Sequence, residues 1–184
     1  MPILAAETSV FPHNLLGDFA AQCCNRRWWA LHTKSRQEKS LARQLSAMEV
    51  PFYLPLVKKF SNIGGRKVRS LLPLFSGYLF LFGTDEERVQ SLATHRVTAV
   101  LPAPDAAAIT QDLQNIRRLI DSGVPLTEEA RLQPGKRVRV KNGALMGLEG
   151  VVLSRRGDDR LLVAVHFLEQ GVSIQINDFQ LESI

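Results

Sequence analysis

Two hydrophobic rhythms divide this chain, and no single repeating architecture accommodates both. Between residues 28 and 122, apolar runs with strand spacing alternate with apolar stripes at helix spacing. From residue 134 onward every apolar run is short and strand-like, with turn residues between the runs. The first pattern calls for a sheet covered by helices, the second for a small all-β unit. A length of 184 residues allows one medium domain or two small ones. No apolar run approaches the ~20 residues of a membrane-spanning helix.

The first region reads in order. Trp28–Thr33 is an aromatic-rich buried strand. Ser35-Arg-Gln-Glu38 predicts a capping box, in which the serine oxygen takes the N3 amide and the glutamate reaches back. The helix behind it places Leu41, Leu45 and Met48 on one stripe, and Pro51 ends it. Phe52–Phe60 is extended, with Pro55 marking an edge or bulge. Residues 61–65 turn the chain and Arg66–Leu72 returns it, so Lys58, Lys59, Arg66, Lys67 and Arg69 make a basic hairpin tip. Gly77–Phe82 and Val97–Leu101 are strands either side of a short, acidic-started helix, Asp85–Ala93. A last helix is capped by Asp105, carries Ile109, Leu113, Ile116 and Ile120 on one face, and stops at Gly123. The order βαββ(β)αβα is α+β: an antiparallel sheet flanked by helices, near the split-βαβ arrangement.

The flanking regions differ. Residues 1–27 lack a basic segment before an apolar one, which argues against a secretory signal, and read as a mostly disordered leader in which Leu15, Leu16, Phe19 and Ala20 form at most one amphipathic turn. Residues 123–133 lack periodicity and read as a linker. In residues 134–184, Val138 and Val140 alternate with Arg137, Arg139 and Lys141; Asn142-Gly143 turns the chain; Gly147 and Gly150 permit positive φ or close approach. Strands follow at Val151–Leu153, Leu161–Phe167 and Val172–Ile176, with a turn over residues 156–159 and a last turn or strand over residues 177–181. Five short strands in so few residues predict a small closed barrel.

Charge is concentrated rather than spread. Residues 26–70 hold 11 Lys/Arg against Glu38 and Glu49, a net of +9, while the whole chain is only +5. Such a region suits a polyanion, and equally a solvated surface that aids solubility. The remaining chemistry is sparse. Cys23 and Cys24 are adjacent and leave no loop to staple, which fits a reducing cytoplasm. His13, His32, His95 and His166 share no metal-ligand spacing, and there is no Gly-rich phosphate loop or nucleophile motif. Glu128-Glu129 and Asp158-Asp159 read as solvated loop acids. The expectation is a protein that is not an enzyme, with no cofactor and no metal.

Three segments carry a resemblance: Trp28-Trp-Ala-Leu-His-Thr-Lys-Ser-Arg-Gln-Glu38, Tyr53-Leu-Pro-Leu56, and Pro73-Leu-Phe-Ser-Gly-Tyr-Leu-Phe80. Together they resemble the N-terminal (NGN) domain of NusG-type transcription factors, a ferredoxin-like fold. Gly135-Lys-Arg-Val-Arg-Val-Lys-Asn-Gly-Ala-Leu-Met-Gly-Leu-Glu-Gly-Val151 resembles their KOW module, an SH3-like barrel. The resemblance runs in order over about residues 28–184: an NGN domain over 28–122, a linker over 123–133, and a KOW barrel over 134–184.

The resemblance implies a non-catalytic, cytoplasmic and monomeric transcription elongation and antitermination factor. Its NGN domain would bind the largest subunits of RNA polymerase and suppress pausing; its KOW module would recruit Rho or a small-subunit ribosomal protein. Tyr78 and Phe80 match positions at the polymerase contact, and Trp29, His32 and Phe75 lie in matching motifs that border it. Each of these aromatics could equally be core, the reading favoured for Trp28 and Phe75. In RfaH-like paralogues the same domain reads the non-template DNA strand. Lys34, Arg36, Thr94, His95 and Arg96 match or adjoin that site, or form a solvated rim. Two departures stand out: His95-Arg96 replaces the usual Arg-Gly, and Ser76 replaces a usual proline. The Lys-x-Arg-Gln-Glu form resembles specialised, RfaH-like paralogues more than the housekeeping factor. The competing class is a ribosome-associated KOW protein that binds RNA.

Overall fold

The structure, a computed structural model, describes residues 7–19, 25–129, 135–155, 158–175 and 181–184. The fold separates into two compact units, residues 1–106 and 107–184.

The first unit runs β1 (Val10–Phe11), β2 (Arg27–Thr33), α1 (Glu38–Ala47), β3 (Phe52–Tyr53), β4 (Leu56–Ile63), β5 (Arg66–Pro73), β6 (Tyr78–Gly83), α2 (Asp85–Ala93) and β7 (Val97–Pro102). Five strands form an antiparallel sheet in the order β1-β3-β6-β2-β7, and β4 and β5 form a separate two-stranded sheet. The α+β class and the split-βαβ order follow the sequence reading. The central pairing of β2 with β6 sets Leu31 across from Leu79 and Trp29 across from Leu81. These four side chains form one core with Leu41, Ala42 and Leu45 of α1 and with Phe52 and Leu54. Period two on the strands and period 3.6 on the helix place apolar groups on the facing surfaces, and their burial drives the packing.

Part of the leader joins this sheet. Val10 and Phe11 pair with Tyr53 and Phe52, the Leu54 amide donates to the Ser9 carbonyl (2.6 Å), and Leu15 and Leu16 are buried. The expectation of disorder therefore fails for residues 7–19. Two isolated apolar pairs carry no readable period, which hid this strand and turn from sequence analysis. Ala20, Cys23 and Cys24 lie outside the described residues.

The start and end of α1 differ from expectation. Arg36 adopts a left-handed backbone (φ 59°), so the helix begins at Glu38 and Gln37 precedes it without a side-chain cap. The Glu38 carboxylate is buried and accepts instead from the Gly77 amide at 2.8 Å, fastening the turn before β6. A capping box does form at α2: the Glu87 amide donates to the Thr84 hydroxyl (3.3 Å), and the Thr84 amide donates to the Glu87 carboxylate (2.8 Å). At the other end of α1, the Val50 amide reaches the Leu45 carbonyl (2.9 Å) and the Glu49 amide reaches the Ser46 carbonyl (3.1 Å), with Glu49 left-handed (φ 56°). This Schellman ending stops the helix before Pro51. It buries Val50 against Leu45 and leaves Met48, expected on the apolar stripe, 40% exposed.

The second unit comprises α3 (Ala106–Ser122), β8 (Thr127–Glu129), β9 (Lys136–Val140), β10 (Glu149–Arg155), β11 (Asp158–Val165), a 3-10 turn (His166–Leu168), β12 (Gln170–Gln175) and β13 (Leu181–Ser183). Two links join α3 to the strands that follow it. Asp112 accepts from the His166 amide (3.0 Å) and contacts its ring Nδ1 (3.1 Å), and Arg118 donates to the Met146 carbonyl (2.6 Å). Leu119 is buried on the helix in place of the expected Ile120. Gly123 stops the helix with φ 72°, as read.

The six strands form one antiparallel sheet in the order β13-β9-β10-β11-β12-β8. Val138 and Val140 are buried while Arg137, Arg139 and Lys141 face outward, as their alternation predicts. Gly147 has φ 80°, and a Cβ on Gly150 would be driven into the Leu162 carbonyl oxygen, so the two glycines are needed for different reasons. Two corrections follow. The expected strand end at Phe167 is a 3-10 turn. Residues 127–129, read as linker, are a strand. Arg160 bridges to the Thr127 hydroxyl (2.7 Å) and the Ser173 hydroxyl (2.8 Å), and Ser173 donates to the buried Glu129 carboxylate (2.8 Å). Polar bonds, which leave no hydrophobic period, hold this edge. Among the described residues the pairing order has β13 and β8 as its outer strands.

Candidate functional site

The second face of the first sheet carries a row of rings. Trp28, Ala30 and His32 of β2 stand opposite Phe82, Phe80 and Tyr78 of β6. Ring centroids lie 5.0 Å apart for Trp28 and Phe82, 6.1 Å for Phe75 and Phe80, and 5.0 Å for His32 and Tyr78, the last two pairs edge to face. Exposure grades along the row. Trp28, Phe75, Phe80 and Phe82 are buried, Phe80 completely, whereas His32 and Tyr78 keep part of their surface in solvent. Of the five aromatic positions expected at a contact, the structure thus leaves His32 and Tyr78 accessible and holds Phe75 and Phe80 beneath them. The expected pairing of Tyr78 with Phe80 at the surface is corrected accordingly. Strand alternation puts both on one face, but position along the strand decides which meets solvent.

Trp29 belongs to the opposite face. Its indole N–H is directed at the Gly83 carbonyl (3.4 Å), and the guanidinium groups of Arg27 and Arg88 lie 4.3 and 5.3 Å from its ring. Asp85 receives bonds from both arginines. The Arg27 hydrogen bond chiefly holds the Asp85 carboxyl below its ordinary value. Glu86 is also held low, first by its own backbone amide at the α2 N-terminus and then by the Thr84 hydroxyl. Trp29 is a capped core residue.

Thr98 holds one side of the His32 ring. The Thr98 hydroxyl donates to the His32 carbonyl (3.0 Å), so the 2.7 Å contact between Thr98 Oγ1 and His32 Nδ1 requires the nitrogen to donate.

Two turns meet past the end of β2. The register between β2 and β7 slips at His32/Thr33, a bulge that redirects the chain. Beyond it the Lys34 amide donates to the Arg96 carbonyl (2.8 Å), joining the 34–37 turn to the 94–96 turn. Each turn holds one left-handed non-glycine residue, Arg36 (φ 59°) and His95 (φ 57°). The buried Thr33 hydroxyl beside them has no hydrogen-bond partner. Backbone strain in two touching turns marks a corner held in one shape. Lys34, Arg36 and His95 are exposed there. Arg96 is not free to bind: its guanidinium donates to the Gln44 amide oxygen (2.9 Å) and to the Gln37 amide oxygen. The Thr94 hydroxyl donates to the Ser91 carbonyl (2.7 Å) and accepts from the Arg96 amide. Sequence analysis named all five residues but not this division into three that present charge or ring and two that build the corner. The signal for it is a pair of glutamines, Gln37 just ahead of α1 and Gln44 within it, facing a basic residue distant in sequence.

Among the described residues no cluster of His, Cys, Asp or Glu has metal-binding geometry. No helix among them is long and apolar enough to cross a membrane.

The split-βαβ sheet thus carries an accessible aromatic end and a basic corner. The family model described as transcription termination factor nusG matches residues 26–120, just over half of the chain, and the chain belongs to the NusG family of transcription factors. No curated protein matches it. Among solved structures, the crystal structure of the MjSpt4:Spt5 complex, conformation B, is similar at 15% identity over 85% of this chain and 97% of that chain, with a TM-score of 0.28.

Proposed function

We propose that this protein is a non-catalytic transcription elongation and antitermination factor that grips RNA polymerase through the His32–Tyr78 end of the aromatic row. The observation carrying the reading is that, in a chain of the NusG family, only this end of a packed ring row is solvent-accessible. A partly exposed aromatic on a buried base is what a hot-spot contact requires. The corner of Lys34, Arg36 and His95 adjoins it in sequence and strand register, which supports a role on the exposed non-template DNA strand and a specialised, RfaH-like paralogue. Restraint of the polymerase's largest subunits would suppress pausing. Residues 134–184 act as a KOW-type module that recruits Rho or a small-subunit ribosomal protein.

The test is a reconstituted elongation complex with exposed non-template DNA. The protein shifts the complex and shortens pauses, and Tyr78→Ala weakens that binding tenfold or more while the protein stays folded. A folded Tyr78→Ala variant that binds as tightly as the parent removes the contact assignment. No binding by the parent protein removes the function.

A further inference from the structure

The β4–β5 hairpin is not used by this reading. It forms its own two-stranded sheet, turned by Gly64 and Gly65, both with positive φ (57° and 78°) as a two-residue hairpin turn requires. Its root is anchored: Leu56 and Leu74 are buried, and the Leu74 amide donates to the Pro55 carbonyl (2.8 Å). Farther out, Phe60 is 69% exposed, an apolar ring that contributes little burial to stability.

The register gives that ring specific neighbours. Phe60 stands directly across from Arg69, and Lys58 across from Leu71. Because side chains alternate, Lys58, Phe60, Arg69 and Leu71 share one face. The other face carries Lys59, Ser61, Val68 and Ser70 and no aromatic. From Leu56 to Pro73 the chain has five basic residues and no acidic one. Lys58 and Arg69 are exposed. An uncovered ring flanked by two cations on a face without counter-charge matches the two requirements of single-strand recognition, a π-surface for a base and cations for the phosphates either side. A duplex hides its base faces and has no use for the ring.

We propose that this face of the hairpin is a second binding site, for single-stranded nucleic acid, with a base stacked on Phe60 and the flanking phosphates against Lys58 and Arg69. The site lies on a different sheet from the strands beside the Lys34–His95 corner and does not depend on polymerase binding.

The test uses the full chain and fluorescence anisotropy with labelled oligothymidine and oligouridine of about 16 nucleotides, and a duplex of equal length. Single strands bind more tightly than the duplex. Phe60→Leu, which keeps an apolar group and removes the π-face, weakens single-strand binding about fivefold or more with an unchanged melting temperature. Lys58→Gln with Arg69→Gln lowers the salt slope by about 1.4, the value for two phosphate contacts. The same losses appear in a Lys34→Gln/Arg36→Gln background, which separates this site from the corner. Comparing the two oligonucleotides assigns DNA or RNA as the preferred strand. Equal binding by Phe60→Leu overturns the proposal. So does loss of all oligonucleotide binding in the Lys34/Arg36 variant alone, or a Phe60→Leu effect confined to polymerase binding, which would make the ring a protein contact.

Discussion

The backbone amide of Lys34 donates to the carbonyl of Arg96, and this 2.8 Å bond ties the turn that leads into α1 to the turn that leads into β7. Side-chain bonds repeat the link, since Arg96 also holds Gln37 and Gln44. A basic surface here has a fixed frame, and charge and frame can be removed separately.

Arg96→Ala should lower stability by about 1–2 kcal/mol, because it strips hydrogen bonds from a partly buried charged group. Lys34→Ala should change stability by less than about 0.5 kcal/mol, as exposed substitutions do. Denaturant unfolding checks both. On the elongation scaffold, Lys34→Ala should still flatten the salt dependence of binding.

Tyr78 and Phe80 are two residues apart on one face and should respond in opposite ways. Phe80→Ala empties a fully buried site and should cost about 3–5 kcal/mol of stability. Tyr78→Ala, which removes a partly exposed ring, should cost clearly less stability than Phe80→Ala and act on polymerase binding. Thermal melts of the two variants side by side give the answer.

Glu49 occupies a left-handed position that glycine fills at lower cost. Glu49→Gly should therefore stabilise the first unit by up to about 1 kcal/mol, read as a higher melting temperature. A lower one would mean that the Glu49 side chain contributes more than its backbone strain costs.

Asp85 has its pKa lowered, chiefly by the Arg27 hydrogen bond. A depressed carboxyl contributes stability that is complete above about pH 5, where the unfolded aspartate is already ionised. That contribution is lost as pH falls through the folded value, below the ordinary value of about 3.9. Melting temperatures from about pH 6 to 3 should fall less steeply for Asp85→Asn than for the parent. At neutral pH the variant should be slightly less stable, because it loses the ion pair.

Gly150→Ala should destabilise by about 1–3 kcal/mol, since its new methyl group meets the Leu162 backbone carbonyl rather than a movable side chain. Gly147→Ala, with open space around it, should pay only for its left-handed backbone, about 1 kcal/mol. Denaturant midpoints rank the two.

What was readable in the sequence was whatever leaves a period or a turn signal. The stripe of Leu41 and Leu45, the alternation of Val138 and Val140, and the stop at Gly123 all appear in the fold as read. What was unreadable depends on partners distant in the chain. The Ser35 capping box satisfies every local rule, yet the left-handed turn at Arg36 delays the helix and Gly77 takes the glutamate. Thr127–Glu129 lacks a hydrophobic rhythm because Arg160 and Ser173 hold it through polar bonds. At the candidate site, residue identities were legible and accessibility was not. Alternation names the face of Phe80, but only the assembled sheet reveals that it lies too deep to touch anything outside.

The strand at Thr127–Glu129 also dictates where this protein can be cut. It covers the outer edge of β12, pairing with residues 171–173. A C-terminal fragment begun at residue 134, the boundary that the sequence suggests, would bare that edge and leave Arg160 without Thr127. Bared edges recruit other strands, so such a fragment should self-associate, whereas one begun ahead of residue 127 should stay dispersed.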